Sequence, residues 1–281
     1  MEHRIMGGIG IHRIAQNPVK VKLHSGQPAV GTWLSLCSPV AAEMMASVGW
    51  DWLVVDVEHS PVGFETMVNC FRAIQLGGAA PMARVPWNDT VWIQRTLDAG
   101  AFGLVVPMIN SAEDARAAVA NMKYATLGQR SYGGSRVAQY VVGDYRQWAQ
   151  ENITVIVMIE TMEAVERAEE ILSVEGVDGC FIGPSDLALS MGVGLGDIGP
   201  GTPHEEAIQH VLQVGKKVGV AVGKHCYDAD EVNMRIAQGF QFLALASDAR
   251  FMMKEAAAQF KALRLEGATP SASGEGKGRI Y

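Results

Sequence analysis

The run Trp-Leu-Val-Val ends in Asp56, Val57, Glu58 and His59 and is stopped by Pro61. Two carboxylates and an imidazole thus follow a strand-like segment within four residues. Alternation puts Asp56 and Glu58 on one strand face, and a neutral imidazole held by an acid is a general base. His59 is the candidate base and Asp56 a candidate to hold it. Arg84 closes Ala-Pro-Met-Ala-Arg before Pro86. A guanidinium at a strand end could offset a developing oxyanion, or simply pair with a loop acid. Glu160 ends Val-Met-Ile-Glu, and Asp186 closes Phe-Ile-Gly-Pro-Ser-Asp. Either alone could be an acid at a helix start. Together, on neighbouring strand ends, they are hard oxygen donors suited to Mg²⁺ or Mn²⁺. Gly183, Pro184 and Ser185 form a turn into a helix, whose backbone N–H groups could hold a carboxylate or phosphate beside Asp186. Trp33 either lines the mouth of the fold or fills its interior. Lys224 and His225 follow a short apolar run and read as loop residues, past the strand rather than buried in it, which leaves a Schiff-base lysine unsupported.

These groups need a scaffold that brings strand ends together. Strand-like runs fall at 29–36, 52–57, 80–85, 103–107, 154–159, 179–182, 219–222 and 242–246, and amphipathic helical stretches alternate with them. Eight such units over about 240 residues predict a (β/α)₈ TIM barrel, whose active face lies at the strand C-terminal ends. No GxGxxG follows the first strand, so a dinucleotide-binding sheet lacks its usual support. The 124–152 connection is long and irregular, as functional loops often are.

The remaining composition sets limits. Hydrophobic residues make up 48% of the chain and the net charge is −7, so no global field favours nucleic acid or an anionic membrane. Four unclustered cysteines read as buried thiols of a cytoplasmic protein. No apolar run is long enough to span a membrane, and the N-terminus lacks a signal-peptide layout. The expected organisation is an N-terminal arm (1–25), one catalytic barrel (26–265) and a flexible Gly/Ser-rich tail (266–281).

The segments "GTWLSL", "DWLVVDVEHSP", "ARVPWND", "LDAGAFGLVVPM", "IET" and "VEGVDGCFIGPSDLALSMG" together resemble the HpcH/HpaI aldolases, which are class II pyruvate aldolases. The similarity extends over most of the chain. It implies a barrel of the phosphoenolpyruvate/pyruvate-binding type, a divalent metal (Mg²⁺, Mn²⁺ or Co²⁺), a pyruvate enolate and a homohexamer with exchanged C-terminal helices. It also implies Glu160 and Asp186 as metal ligands, His59 as base, Arg84 as the group stabilising the transition state, Asp98 as the acid raising the basicity of His59, and Ser185 as a backbone contact to substrate carboxylate. Two positions depart from the family. Met158 stands where glutamine is usual, and residues 130–136 replace a common Arg-Gly-Val-Gly; both changes are expected to touch the pocket, leaving Trp33, Met158 and the Gly183–Asp186 turn as substrate contacts.

The reading that follows is a metal-dependent lyase joining pyruvate to an aldehyde or cleaving a 4-hydroxy-2-oxo acid. Oxaloacetate decarboxylation at the same site, as in the related macrophomate synthase, is the alternative. A CoA-ester lyase would need a basic nucleotide-binding patch, which the sequence does not show, and a non-catalytic barrel would not need His59, Arg84, Glu160 and Asp186 together.

Overall fold

The computed structural model describes residues 13–263; the predicted tail at 266–281 and the first twelve residues of the predicted arm lie outside them. Eight parallel strands close into a barrel in sequence order: β1 (Ala29–Leu34), β2 (Trp52–Asp56), β3 (Ala80–Arg84), β4 (Gly103–Val106), β5 (Thr154–Ile159), β6 (Gly179–Ile182), β7 (Ala221–Cys226) and β8 (Phe242–Ser247). The helices before and between the first five strands are α1 (Pro18–His24), α2 (Pro39–Ala46), α3 (Phe64–Gly77), α4 (Thr90–Asp98), α5 (Ala112–Met122) and α6 (Tyr145–Asn152). The rest are α7 (Met162–Glu166), α8 (Ala168–Leu172), α9 (Pro184–Ser190), α10 (Pro203–Val218), α11 (Ala229–Gln238) and α12 (Asp248–Ala262). The molecule is a (β/α)₈ barrel.

Local sequence explains the alternation. The strands are buried almost throughout, as expected where helices cover a parallel sheet. Ser38, Asp89, Ser111, Thr161, Thr202 and Asp228 each accept a backbone N–H with the side chain at a helix start. Gly78, Gly219 and Gly239 end α3, α10 and α11 in the left-handed conformation. Inside the barrel Trp52 stacks on Phe242 at 4.3 Å. A Cβ on Gly31 would meet the Trp52 ring at 2.2 Å, so only glycine lets β1 lie against that indole.

The end of the barrel at the strand N-termini is closed. The fully buried Asn17 amide donates to the Phe102 and Asn152 carbonyls and to Thr154 Oγ1. Behind it, Val19 and Leu23 of α1 are buried. The 124–152 connection, which holds a 3₁₀ turn (Val137–Tyr140) and α6, also lies at this end, because α5 has already run back from the end of β4. Its Tyr140 carbonyl accepts the Ile14 N–H, and Val142 N–H donates back to the Ile14 carbonyl.

Two expectations are corrected. The seventh strand is β7 (Ala221–Cys226), two residues later at its start and four later at its end than the apolar run. Lys224 and His225 therefore lie within it and are buried. The amphipathic stretch between β5 and β6 is not one helix but two short ones, separated at Arg167, whose φ/ψ of −102°/13° is not helical.

Candidate active site

A cavity of about 250 Å³ opens at the strand C-terminal ends, bordered on one side by Asp56, His59 and Arg84 and on another by Gly183, Pro184 and Asp186. The register places Asp56 opposite Arg84. The guanidinium forks onto that carboxylate, Nε donating to Oδ1 at 2.9 Å and Nη2 to Oδ2 at 2.7 Å. Its third nitrogen, Nη1, is 3.1 Å from Glu58 Oε2, and one face of the fork lies 4.6 Å from the Trp33 ring. Arg84 is thus fixed by three partners in one orientation. Asp56 Oδ1 also accepts the backbone N–H groups of Glu58 and His59, bending the chain just past β2. The His59 imidazole stands at the mouth, its side chain 56% exposed and its Nε2 3.7 Å from Glu58 Oε2.

Glu58 and Glu160 are unusual carboxyls. Burial pushes Glu58 up to about 7 against the pull of Arg84, with Asp56 and Asp186 adding to the rise. Burial likewise takes Glu160 to about 7; the Met108 N–H works against it, while Asp186 and Glu58 reinforce it. Met108 N–H donates to Glu160 Oε1 at 2.7 Å, from a residue held at φ 55°. Cys37 and Ala246, at the ends of β1 and β8, also take positive φ. Backbone strain of roughly 1–3 kcal/mol per such residue is thereby gathered on this face.

These residues fit a divalent cation. Glu160 is 3% exposed, and burial with the nearby Asp186 and Glu58 carboxyls raises its pKa in spite of Arg84. A Cβ on Gly183 would come within 2.8 Å of Glu160 Oε2 and 3.1 Å of its Cβ, so the glycine keeps the space beside the carboxylate clear. Among the described residues no group of three or more His, Cys, Asp or Glu is arranged for a metal. Two carboxylates alone leave most coordination positions to water and substrate oxygens, the pattern of Mg²⁺ and Mn²⁺ sites.

A model of one protein family, HpcH/HpaI aldolase/citrate lyase, matches residues 29–254. The chain belongs to this family. A hydroxypyruvate/pyruvate aldolase of Rhizorhabdus wittichii is 37% identical over 83% of this chain and 92% of its own length. A 4-hydroxy-2-oxo-heptane-1,7-dioate aldolase of Klebsiella pneumoniae is 42% identical, covering 73% of this chain and 79% of that one. Among solved structures, an HpcH/HpaI aldolase/citrate lyase family protein from Burkholderia cenocepacia superposes with a TM-score of 0.83 at 34% identity, over 89% of this chain and all (100%) of that one.

In this member of the HpcH/HpaI family, Trp33 and Met158 border the cavity, as do Gly183, Pro184 and Asp186. Ser185 is buried and does not border it. Asp98 is elsewhere. It ends α4, at the closed end of the barrel, where it accepts from Arg130 Nη2 at 2.7 Å. Residues 130–136 gather over it, with Gly134 packed on its carboxylate. Within one chain, then, neither Asp98 nor the 130–136 loop reaches His59 or the cavity. Five other residues complete the site without standing out as contacts in the sequence. Glu58 was visible as a neighbour of His59, but its ion pair with Arg84 depends on β3. Ser35 follows β1, Ser247 closes β8, and His225 and Phe181 lie inside β7 and β6, positions where small, polar and aromatic types are equally compatible with core.

Proposed function

We propose that this chain is a divalent-metal-dependent carbon–carbon lyase that cleaves or forms 4-hydroxy-2-oxo acids through a pyruvate enolate. What carries the reading is the placement of Asp186 and the Gly183–Pro184 turn at one cavity with Arg84 and His59, with Glu160 behind them. Glu160 and Asp186 would hold the ion, which when bound polarises the 2-oxo carbonyl and offsets enolate charge. The backbone at the start of α9 receives the carboxylate of the 2-oxo acid. In the cleavage direction the His59 imidazole takes the proton of the 4-hydroxyl; the C3–C4 bond breaks, the aldehyde departs, and a proton returned to C3 gives pyruvate. In the forming direction C3 of the enolate attacks the aldehyde carbon and the new alkoxide is protonated. Arg84, held rigid by Asp56 and Glu58, presents fixed positive charge to the enolate oxygen.

The same reading includes a cytoplasmic homohexamer. Four free cysteines support the compartment. Assembly is supported by α12, which has only Asp248 buried and exposes Met252, Met253 and Phe260. The role given to Asp98 also requires it, since that acid could meet His59 only from another copy.

The decisive experiment strips the protein with chelator, confirms negligible metal, and assays pyruvate release from 4-hydroxy-2-oxo acids. Activity is expected only after Mn²⁺ or Mg²⁺ is restored. Full activity in the stripped protein would end the reading.

A further inference from the structure

The turn that carries Asp186 to the cavity is held by a residue the lyase reading does not use. The turn has little of its own to fix it. Gly183 starts α9 with no side-chain cap, Pro184 has no N–H to give, and the helix is only seven residues long. A helix that short depends on contacts from outside it. Its far end is tied by Ser190 Oγ, which accepts the Met162 N–H. Its near end is tied by His204, whose Nε2 lies 2.8 Å from the Pro184 carbonyl oxygen. A carbonyl oxygen only accepts, so Nε2 carries the proton.

His204 stands on a rigid base. It is the second residue of α10 and is 2% exposed. Thr202, before it, caps that helix by accepting the Glu205 N–H. Glu205, after it, is gripped by Arg235 of α11, whose Nη2 donates to Oε2 at 2.7 Å. The backbone on both sides of the imidazole is therefore pinned, and the bond to Pro184 passes the position of α10 on to the start of α9.

The other ring nitrogen shows why a histidine at this place calls for explanation. Burial, the largest influence on its pKa, lowers it, so the ring is neutral and Nδ1 bears no proton. Nδ1 is buried and has no hydrogen-bond partner. That defect costs free energy which an apolar side chain in the same space would not lose. Departures of this kind gather where function requires them. What the imidazole supplies and an apolar residue does not is the bond to Pro184, two residues before Asp186.

Resting on the lyase reading above, we infer that His204 is a positioning residue: by holding the Pro184 carbonyl it fixes Asp186 where that carboxylate can bind the divalent ion.

The test measures Mn²⁺ affinity by electron paramagnetic resonance on chelator-stripped protein, with melting temperatures taken on the same samples. His204→Leu and His204→Phe remove the donor with side chains of different shape. Each is expected to weaken Mn²⁺ binding roughly tenfold, as for other groups that orient a metal ligand. The melting temperature should change little, because the orphaned Nδ1 is removed together with the bond. His204→Gln, which still offers an N–H, should recover most of the affinity. An affinity in His204→Gln as low as in the apolar variants would overturn the inference. So would a loss that appears only with a collapse of the melting temperature, or failure of both apolar variants to fold, since either makes His204 a residue of stability alone. Mn²⁺ bound equally well by wild type and both apolar variants sinks the positioning role and leaves the lyase reading standing. A wild-type protein that binds no Mn²⁺ sinks the lyase reading and the inference with it.

Discussion

Arg84 and His59 divide the proposed chemistry between charge and proton. His59→Ala should slow aldol cleavage by roughly 10²–10⁴-fold, the range for a positioned acid–base group. Oxaloacetate decarboxylation, which releases CO₂ rather than a substrate proton, should suffer much less. Arg84→Ala should harm both reactions, because both develop enolate charge. Arg84→Lys should recover little, since an ammonium cannot span both Asp56 oxygens and still reach Glu58. Both rates measured on each variant test this, and equal losses in His59→Ala would refute the division. His225 gives a second prediction. Its folded-state value near 3 lies below the usual unfolded value of about 6.5. As pH falls through that interval the unfolded chain takes up a proton that the folded chain does not, so stability present above about 6.5 is lost, by at most about 1.4 kcal/mol per pH unit. His225→Gln should flatten this part of the profile. Melting temperatures of both proteins from pH 7 to 4 would show it, and parallel curves would count against a neutral buried imidazole.

Strand ends and the turns after them set where the site groups stand. Gly183 is the sharpest case, because a methyl group there would press on Glu160 Oε2 at 2.8 Å. Gly183→Ala is therefore expected to weaken Mn²⁺ binding roughly 10–100-fold, as for other groups that orient a metal ligand, while circular dichroism stays native. Titration followed by Mn²⁺ electron paramagnetic resonance measures it; unaltered affinity would show that the space beside Glu160 is not needed. At this scale the sequence was unevenly legible. β5 and β6 were readable to the residue because Thr154–Ile159 and Gly179–Ile182 are compact apolar runs between clear boundaries. The pair Glu160 and Asp186 followed from them. β7 misled because Val222 is followed by glycine, lysine and histidine, a string that resembles a loop until the β6 and β8 pairings hold it as strand. His225 was lost with it. α12 left no periodic signal of its own, since a helix with only Asp248 buried shows no apolar stripe facing its own core; a C-terminal helix was implied by the family resemblance alone. The Asp56–Arg84 fork links residues on two strands and depends on register, which spacing along one chain does not encode.

The two ends of the barrel differ, and assembly is expected to use both. Asp98, Arg130 and the glycines over them make an ordered patch at the closed end with no partner in its own cavity. If Asp98 serves His59 of another copy, His59→Ala and Asp98→Ala proteins, each inactive or nearly so, should regain activity when subunits are exchanged between them. Light scattering would establish the oligomer in the same samples, and a mixed oligomer with no recovered turnover would remove Asp98 from the reaction. The closure made by Asn17 and α1 governs traffic as well. With that end shut, the cavity has one doorway, at the strand C-terminal ends, where His59 stands exposed while Glu160 lies deep. A molecule seated near Glu160 cannot leave past one that fills the doorway. Pyruvate must therefore enter first in synthesis and leave last in cleavage. Product-inhibition kinetics should show pyruvate competing with the 4-hydroxy-2-oxo acid and the aldehyde not competing, whereas a competitive aldehyde would mean the door admits both in either order.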